Sequence, residues 1–193
     1  MKPIVQKSYR DLFASDSKQR VVEVFLRFPS TEFSLSDLAT ESGVGKAQMG
    51  KIISELVKKD ILTVQKLSSI WRIRANSEGE PFKRLKITYN LNFLFQSGII
   101  EFLTNHYQNP KAIVVFGSFR RGEDQTGSDI DIAIEASGKG ELITTRLKDL
   151  LPFEESIQRT IQLHIFTRTT INPHVFNNIA NGIVLKGFLE VKL

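Results

Sequence analysis

Apolar residues in the first part of the chain recur at the spacing of amphipathic helices. The pattern predicts one helix over residues 21–28 and a second that begins after the capping residue Ser34 and ends before Gly43. A third helix is predicted from about residue 45. Its apolar positions fall at i, i+3, i+4, i+7 and i+8, on one face of the helix: Met49, Ile52, Ile53, Leu56 and Val57.

After Asp60 the apolar spacing shortens to two residues. Two alternating stretches, residues 61–66 and 70–74, flank a Leu-Ser-Ser connection and predict a β-hairpin. Helices followed by a hairpin are the element order of winged helix-turn-helix proteins, and residues 17–76 resemble that family. The resemblance implies a DNA-binding domain, which we place at residues 1–78.

Residues 79–107 are mostly helical in pattern and are expected to form a helical connector, with weak points at Asn90 to Asn92 and at Gly98. Beyond the connector, strands and helices alternate. The predicted order is strand 112–116, a loop, strand 129–135, a helix at about 139–151, strand 160–166, a helix at about 172–181 and a last apolar stretch at 183–185. Alternation of this kind predicts an α/β (α+β) chain whose C-terminal domain, residues 108–193, is a small mixed sheet with helices on one side.

The basic charge of the chain is concentrated in its first part. Residues 1–110 contain 16 Lys and Arg and 11 Asp and Glu, whereas residues 111–193 contain 10 of each. The whole excess of +5 therefore lies in the N-terminal region, which suggests a polyanionic partner such as DNA.

Within the predicted winged helix, seven bases and two acids lie between Gly45 and Ala75. A recognition helix uses its N-terminal residues in the major groove, and alternate residues of a hairpin can grip the phosphate backbone. The other interpretation is a solvated basic face on a winged helix that binds protein. The candidates for DNA contact are Lys46, Gln48 and Lys51 on the helix, and Arg72 and Arg74 on the hairpin.

The chain has no cysteine, which excludes disulfides and thiolate metal sites. No apolar window approaches the roughly 20 residues that span a bilayer, and the first residues lack the apolar stretch of a signal peptide. We therefore expect a soluble cytoplasmic protein with no membrane partner.

The pattern with the clearest chemistry is Gly117-Ser118, ten further residues, and then Asp129-Ile130-Asp131. A glycine loop at the end of a buried strand can turn backbone N–H groups toward a phosphate. Alternation along the next strand places Asp129 and Asp131 on one face, where two carboxylates suit a divalent cation that carries a nucleoside triphosphate. The other interpretation is a glycine-rich hairpin with a solvated acidic strand end.

This pattern resembles the signature of the polymerase-beta-type nucleotidyltransferases, and most closely that of the minimal nucleotidyltransferases, over roughly the last 85 residues. Arg121-Gly122 and Ser128 match further features of the family signature. The resemblance implies that Gly117 allows close backbone approach, that Ser118 donates to the terminal phosphates, and that Asp129 and Asp131 hold Mg²⁺ or Mn²⁺. Two arginines, Arg120 and Arg121, are candidate phosphate cations, with a surface role as the alternative.

The third strand departs from the family pattern, because active members usually place a third carboxylate there. Here that face of the strand presents Gln162 and His164 and no acid. Gln162 offers a metal only a neutral oxygen and cannot accept a proton. His164 could act as a base near neutral pH, or be an ordinary hydrogen-bonded strand histidine.

Together these patterns predict a DNA-binding protein whose second domain transfers a nucleoside monophosphate, AMP from ATP in the first instance, to a hydroxyl. Antitoxin members of the family modify a partner protein, so a protein acceptor is an option. The alternative is a transcriptional regulator whose nucleotidyltransferase domain is silent or only senses nucleotide. A homodimer is a further option, since winged-helix proteins often dimerise on palindromic sites.

Overall fold

The structure, a computed structural model, describes residues 16–67, 70–137, 142–169 and 171–191. These residues form two compact units, residues 16–89 and residues 90–191. The two serines of the predicted hairpin connection and the first residues of the predicted helix at 139–151 lie outside the described residues.

The N-terminal unit has the three helices and the hairpin that the sequence predicts. The Asp16 side chain caps the first helix, Ser34 caps the second, and Gly43 ends the second in a left-handed conformation. The elements are α1 (Ser17–Arg27), α2 (Leu35–Ser42), α3 (Lys46–Lys58), β1 (Leu62–Leu67) and β2 (Ile70–Ala75).

Each of the three helices packs one apolar face into the core of this unit. Val21, Leu38 and Met49 are fully buried, one from each of α1, α2 and α3. Val57, predicted to lie on the buried face of α3, is instead 40% exposed, because it lies near the C-terminal end of that helix, beyond the buried stripe. Phe33 forms an isolated antiparallel bridge with Ile73, which adds a third short extended segment to the hairpin.

The predicted connector consists of two helices, α4 (Glu80–Gln96) and α5 (Ile99–His106). Gly98 separates them with a φ of 88°, a left-handed conformation that favours glycine. Asn90, predicted as a weak point, does not interrupt α4. The boundary between the two compact units falls within α4, after residue 89.

The C-terminal unit is built on a five-stranded mixed sheet with the order β5-β6-β4-β3-β7. The pair β4 and β6 is parallel and the other pairs are antiparallel. The strands are β3 (Ala112–Phe116), β4 (Asp129–Glu135), β5 (Ile143–Thr145), β6 (Thr160–Phe166) and β7 (Ile183–Gly187), with helices α6 (Gly117–Arg121), α7 (Leu151–Ile157) and α8 (Pro173–Ala180) between them. The α+β class and the small mixed sheet are confirmed.

The predicted helix at about 139–151 is wrong in its described part. Residues 143–145 form the edge strand β5, and a 3₁₀ turn (Lys148–Leu150) then leads into α7. Ile143, Thr144 and Thr145 are all β-branched, and they favour a strand here because they can pair with the edge of β6.

The two faces of the sheet have different compositions. One face is apolar along β3 and β4, where Ile113, Val115 and Ile132 are fully buried. The opposite face combines a small apolar cluster, in which Ile179 of α8 packs near Val114, with the acidic positions of β4. Both faces carry fully buried residues, so the expectation of cover on one side alone is wrong.

Candidate functional site

The acidic pair lies at the start of β4. Asp131 is opposite Phe116 of β3 and Gln162 of β6, and Asp129 lies two residues earlier, so the strand alternation places both carboxylates on the same face. The two side chains are partly exposed, at 35% for Asp129 and 25% for Asp131. Solvent-borne ligands can therefore reach both carboxylates.

Gly117 brings the loop backbone directly against this pair. It has a φ of 72°, and a Cβ built on it would collide with the Oδ2 atom of Asp131. A side chain at this position would displace the carboxylate, so only glycine allows the approach. The Gly117 backbone therefore lies next to the Asp131 carboxylate.

The three other candidate residues of this loop differ in exposure and in their contacts. Ser118 lies in the first turn of α6, and its hydroxyl has no hydrogen bond to another residue of the described part. Arg120 on the same turn is half-buried. Arg121 is exposed and pairs with Glu123 at 2.7 Å, which fits the surface role better than contact with a phosphate in this conformation.

A network of buried polar side chains holds the segment that follows Gly117 in place, and the sequence analysis missed this network. The Asn90 amide of α4 donates to the Phe119 carbonyl and to Asp124 Oδ1, both at 2.8 Å. Arg159, just before β6, donates to Asp124 Oδ2 at 3.2 Å, and the two side chains are 2% and 0% exposed. The available signal was Asn90 itself, which the sequence analysis treated only as a weak point of the helix.

His164 is held against the acidic pair. Its Nε2 lies 3.0 Å from Asp131 Oδ1, its Nδ1 lies 3.3 Å from the Thr144 hydroxyl of β5, and its ring meets Phe116 edge to face at 5.0 Å. Gln162 lies on the same face, opposite Asp131. The expectation that β6 carries no acid on this face is correct, and His164 rather than Gln162 makes the contact.

Arg146 is a second residue that the sequence analysis missed. It follows β5, and its Nη2 lies 3.1 Å from Asp129 Oδ1. The available signal was the run of β-branched residues at 143–145. Had these been predicted as a strand that pairs with β6, residue 146 would have been placed near the start of β6. Each aspartate of the pair thus has its own basic neighbour.

The donor set fits a magnesium or manganese ion held jointly with a nucleotide. Mg²⁺ is commonly bound through one or two carboxylates plus substrate phosphates, and Asp129 and Asp131 supply such oxygens beside the cradle that Gly117 leaves open. Within residues 16–67, 70–137, 142–169 and 171–191, no three His, Asp or Glu side chains come together as a ready-made metal cage.

The candidate DNA-contact residues of α3 lie on the surface of the N-terminal unit. Lys46, Gln48 and Lys51 are all exposed, in the first half of the helix. Gln48 and Lys51 line an open groove of about 560 Å³ between α3 and the start of α1. An ion pair between Lys18 and Glu55 closes one side of this groove and lowers the pKa of the Glu55 carboxyl.

The two hairpin arginines are paired within the protein. Arg72 and Arg74 both donate to the Glu32 carboxylate, which the Phe33 bridge places beside β2. The hydrogen bond from Arg72 is the largest cause of a lowered pKa of Glu32; burial opposes it, and the hydrogen bond from Arg74 adds a further lowering. Glu32 was not a candidate in the sequence analysis, because its partners lie about 40 residues away.

A comparison with protein-family models gives a match within the C-terminal unit. Residues 98–187 match the family model described as polymerase beta, nucleotidyltransferase. The matched stretch runs from α5 to the end of β7 and contains the loop, both aspartates and Arg146. The resemblance found in the Gly-Ser and Asp-x-Asp pattern is confirmed for this part of the chain.

Two further comparisons add little. No curated protein gave a significant match. A solved structure of the adhesin competence repressor AdcR from Streptococcus pyogenes aligns with 49% of this chain and 72% of its own, at 18% identity and a TM-score of 0.35. A score of that size is too low to show a common fold. Among the described residues, no helix has the length and apolar character needed to cross a membrane.

Proposed function

We propose that the protein transfers a nucleoside monophosphate from ATP to a hydroxyl acceptor, and that its N-terminal unit binds DNA. The observation that carries the enzymatic part is the direct approach of Gly117 to Asp131, with Asp129 on the same face of β4, inside the stretch that matches the nucleotidyltransferase family. The backbone turn that we assign to phosphate binding therefore lies next to the carboxylates that we assign to cation binding.

The residues would divide the work as follows. The Gly117 turn and the Ser118 hydroxyl would hold phosphate oxygens, and Asp129 and Asp131 would hold Mg²⁺, whose charge would offset that of the triphosphate. The acceptor oxygen forms a bond to the α-phosphorus as the bond to the bridging oxygen breaks, releasing pyrophosphate. The acceptor hydroxyl gives up its proton to the solvent or to His164, since β6 carries no acid on this face.

The decisive experiment compares ATP labelled at the α-phosphate with ATP labelled at the γ-phosphate. Each is incubated with the full chain, Mg²⁺ or Mn²⁺ and a cell extract that supplies acceptors. We expect only the α-label to enter a macromolecule, and Asp129→Ala/Asp131→Ala to abolish this transfer. Transfer of the γ-label would instead indicate a phosphotransferase, and α-label transfer by the double variant would overturn the assigned site. Parallel reactions with GTP, CTP and UTP test the choice of ATP.

A second candidate function is a transcriptional regulator that binds nucleotide without turnover. It is favoured by the absence of a carboxylate at Gln162 and His164 on β6, and by the pairing of both aspartates with basic side chains. Nucleotide binding that requires Asp129 and Asp131 without α-label transfer would support this candidate over the enzyme.

The DNA-binding part of the proposal is supported by the helix-and-hairpin arrangement and by the exposed bases of α3. The candidate acceptors are a hydroxyl group of a partner protein and a hydroxyl group of another macromolecule. Separating the labelled products by protease and nuclease digestion distinguishes a protein acceptor from a nucleic-acid acceptor.

A further inference from the structure

Arg146 and the Gly117 loop lie on opposite sides of the acidic pair. The loop continues from β3, which neighbours β4 on one side, whereas Arg146 continues from β5, which lies beyond β6 on the other. Arg146 reaches across β6 to place a guanidinium nitrogen 3.1 Å from Asp129 Oδ1. The two aspartates therefore have the Gly117 loop on one side and the Arg146 guanidinium on the other.

The contact between Arg146 and Asp129 costs little to break. The side chains are 58% and 35% exposed, and an ion pair this open to water contributes little to stability. The pair also occupies an oxygen that a metal ion would use, since Asp129 Oδ1 accepts from Arg146. A cation that arrives at the pair must compete with the guanidinium for that oxygen.

If Arg146 is released from Asp129 beside a bound nucleotide, a phosphate group of that nucleotide can become its new partner. The planar guanidinium matches phosphate oxygens as well as it matches carboxylate oxygens, and it can form two parallel hydrogen bonds to either. Of the other basic residues near the site, Arg121 pairs with Glu123 and His164 contacts Asp131, whereas Arg120 is half-buried on α6, on the same side of the acids as the Gly117 loop.

We propose that Arg146 is an exchangeable counter-ion: it holds Asp129 in the protein without nucleotide, and moves to a phosphate of the bound nucleotide when a divalent cation takes its place on Asp129. This inference rests on the proposed nucleotide site. It makes Arg146 a nucleotide-binding residue supplied by the strand β5.

The exchange predicts changes of opposite sign in one variant, Arg146→Gln. Binding of Mn²⁺ alone should strengthen, by about two- to fivefold, because the competing exposed ion pair is lost. Binding of the Mn²⁺ complex of an ATP analogue with a non-hydrolysable α,β-bond should weaken about tenfold or more, because a charge-assisted hydrogen bond is lost. Electron paramagnetic resonance of free Mn²⁺ and calorimetry measure the two affinities without relying on turnover.

Two control variants complete the test. Arg146→Lys keeps the charge and should bind Mn²⁺ as the wild type does, with nucleotide affinity between those of wild type and Arg146→Gln. Arg84→Gln removes the same charge at an exposed position of α4, where Arg84 pairs with Glu80, and should change neither affinity.

The outcomes separate this inference from the proposed function. If Arg146→Gln lowers both affinities, or changes neither, while Asp129→Ala/Asp131→Ala abolishes nucleotide binding, the exchange is wrong and the nucleotide site stands. If the wild-type protein binds neither Mn²⁺ nor the analogue, the nucleotide site itself is wrong.

Discussion

The acidic end of β4 in the C-terminal unit and the basic face of the N-terminal unit use charge in different ways. In the first, basic side chains meet the acids of the candidate site, with Arg146 on Asp129 and His164 on Asp131. In the second, Arg72 and Arg74 share one carboxylate, that of Glu32, while Lys46 and Lys51 of α3 stay exposed. The comparison shows that a charged residue in a functional pattern need not be available to a ligand.

The two regions also differ in what positions their residues. The acidic pair is held by strand register, and the loop beside it is braced by a buried network around Asp124. The exposed bases of α3 are positioned only by the helix that carries them. Substitutions in the buried network around Asp124 should therefore have larger effects on folding than substitutions on the α3 face.

The largest expected effect is that of Asp124→Ala. This change removes the carboxylate to which Asn90 and Arg159 donate, and breaking a buried ion pair from one side typically costs about 3–5 kcal/mol. Urea unfolding of the full chain, followed by far-UV circular dichroism, measures the loss. The neighbouring change Glu123→Ala removes an exposed acid, and should cost about 1 kcal/mol or less. Similar losses in the two variants would show that the network does not brace the loop.

The next effect concerns the approach of the loop to the acidic pair. Gly117→Ala should lower metal-dependent nucleotide affinity about tenfold or more, because the new methyl group displaces the Asp131 carboxylate as well as straining the backbone. Gly127→Ala is a matched control: Gly127 has a φ of 88°, but its Cβ would meet open space. Both variants should lose a similar amount of thermal stability. Equal losses of nucleotide affinity would mean that backbone strain, and not the contact with Asp131, accounts for the effect.

A smaller effect is expected for Lys46→Ala/Lys51→Ala on DNA binding. Each lysine that neutralises a phosphate contributes about 0.9 to the slope of log affinity against log salt, so this slope should fall by up to about 2. Fluorescence anisotropy of a labelled duplex over a salt series measures the slope. Lys58→Ala/Lys59→Ala makes the same charge change at the other end of α3 and should leave the slope nearly intact. A DNA affinity that does not depend on salt in the wild type would contradict the DNA hypothesis.

The smallest and most specific effect is expected for Glu32→Gln. Releasing Arg72 and Arg74 from the carboxylate should raise DNA affinity by a few fold, since each pair is exposed and weak. Glu41→Gln, the same charge change on α2, is the control. A fall in affinity would mean that Glu32 orients the arginines for DNA and does not neutralise them.

Glu32 also provides a pH test of the same contact. Arg72 lowers the pKa of Glu32 in the folded protein, so the stabilisation is complete above the ordinary carboxyl titration range and is lost as the pH falls through the lowered pKa. The wild type should therefore lose slightly more stability than Glu32→Gln as the pH falls through that acid range.

Much of the fold follows from local patterns. The capping residues, the helical apolar spacing of α1 to α3 and the apolar runs of β3, β4 and β6 predicted these elements within a few residues, because each depends on neighbours in the chain. The edge strand β5 was missed because a three-residue strand at the sheet edge has too few residues to show an alternating pattern, and its β-branched residues stabilise it only when it pairs with β6.

The amino-acid sequence by itself determined the Gly-Ser and Asp-x-Asp motif and the common face of Asp129 and Asp131, since backbone periodicity alone places alternate residues of a strand on one face. Only the tertiary structure decided which basic side chains contact the two aspartates, and which candidate DNA-contact residues are paired with an acid. Arg146 reaches Asp129, and Glu32 reaches Arg72 and Arg74, through pairings of distant segments. Charge interactions act over a few ångströms of space, regardless of separation along the chain, and so the partner of a charged residue is fixed by the packing of the elements.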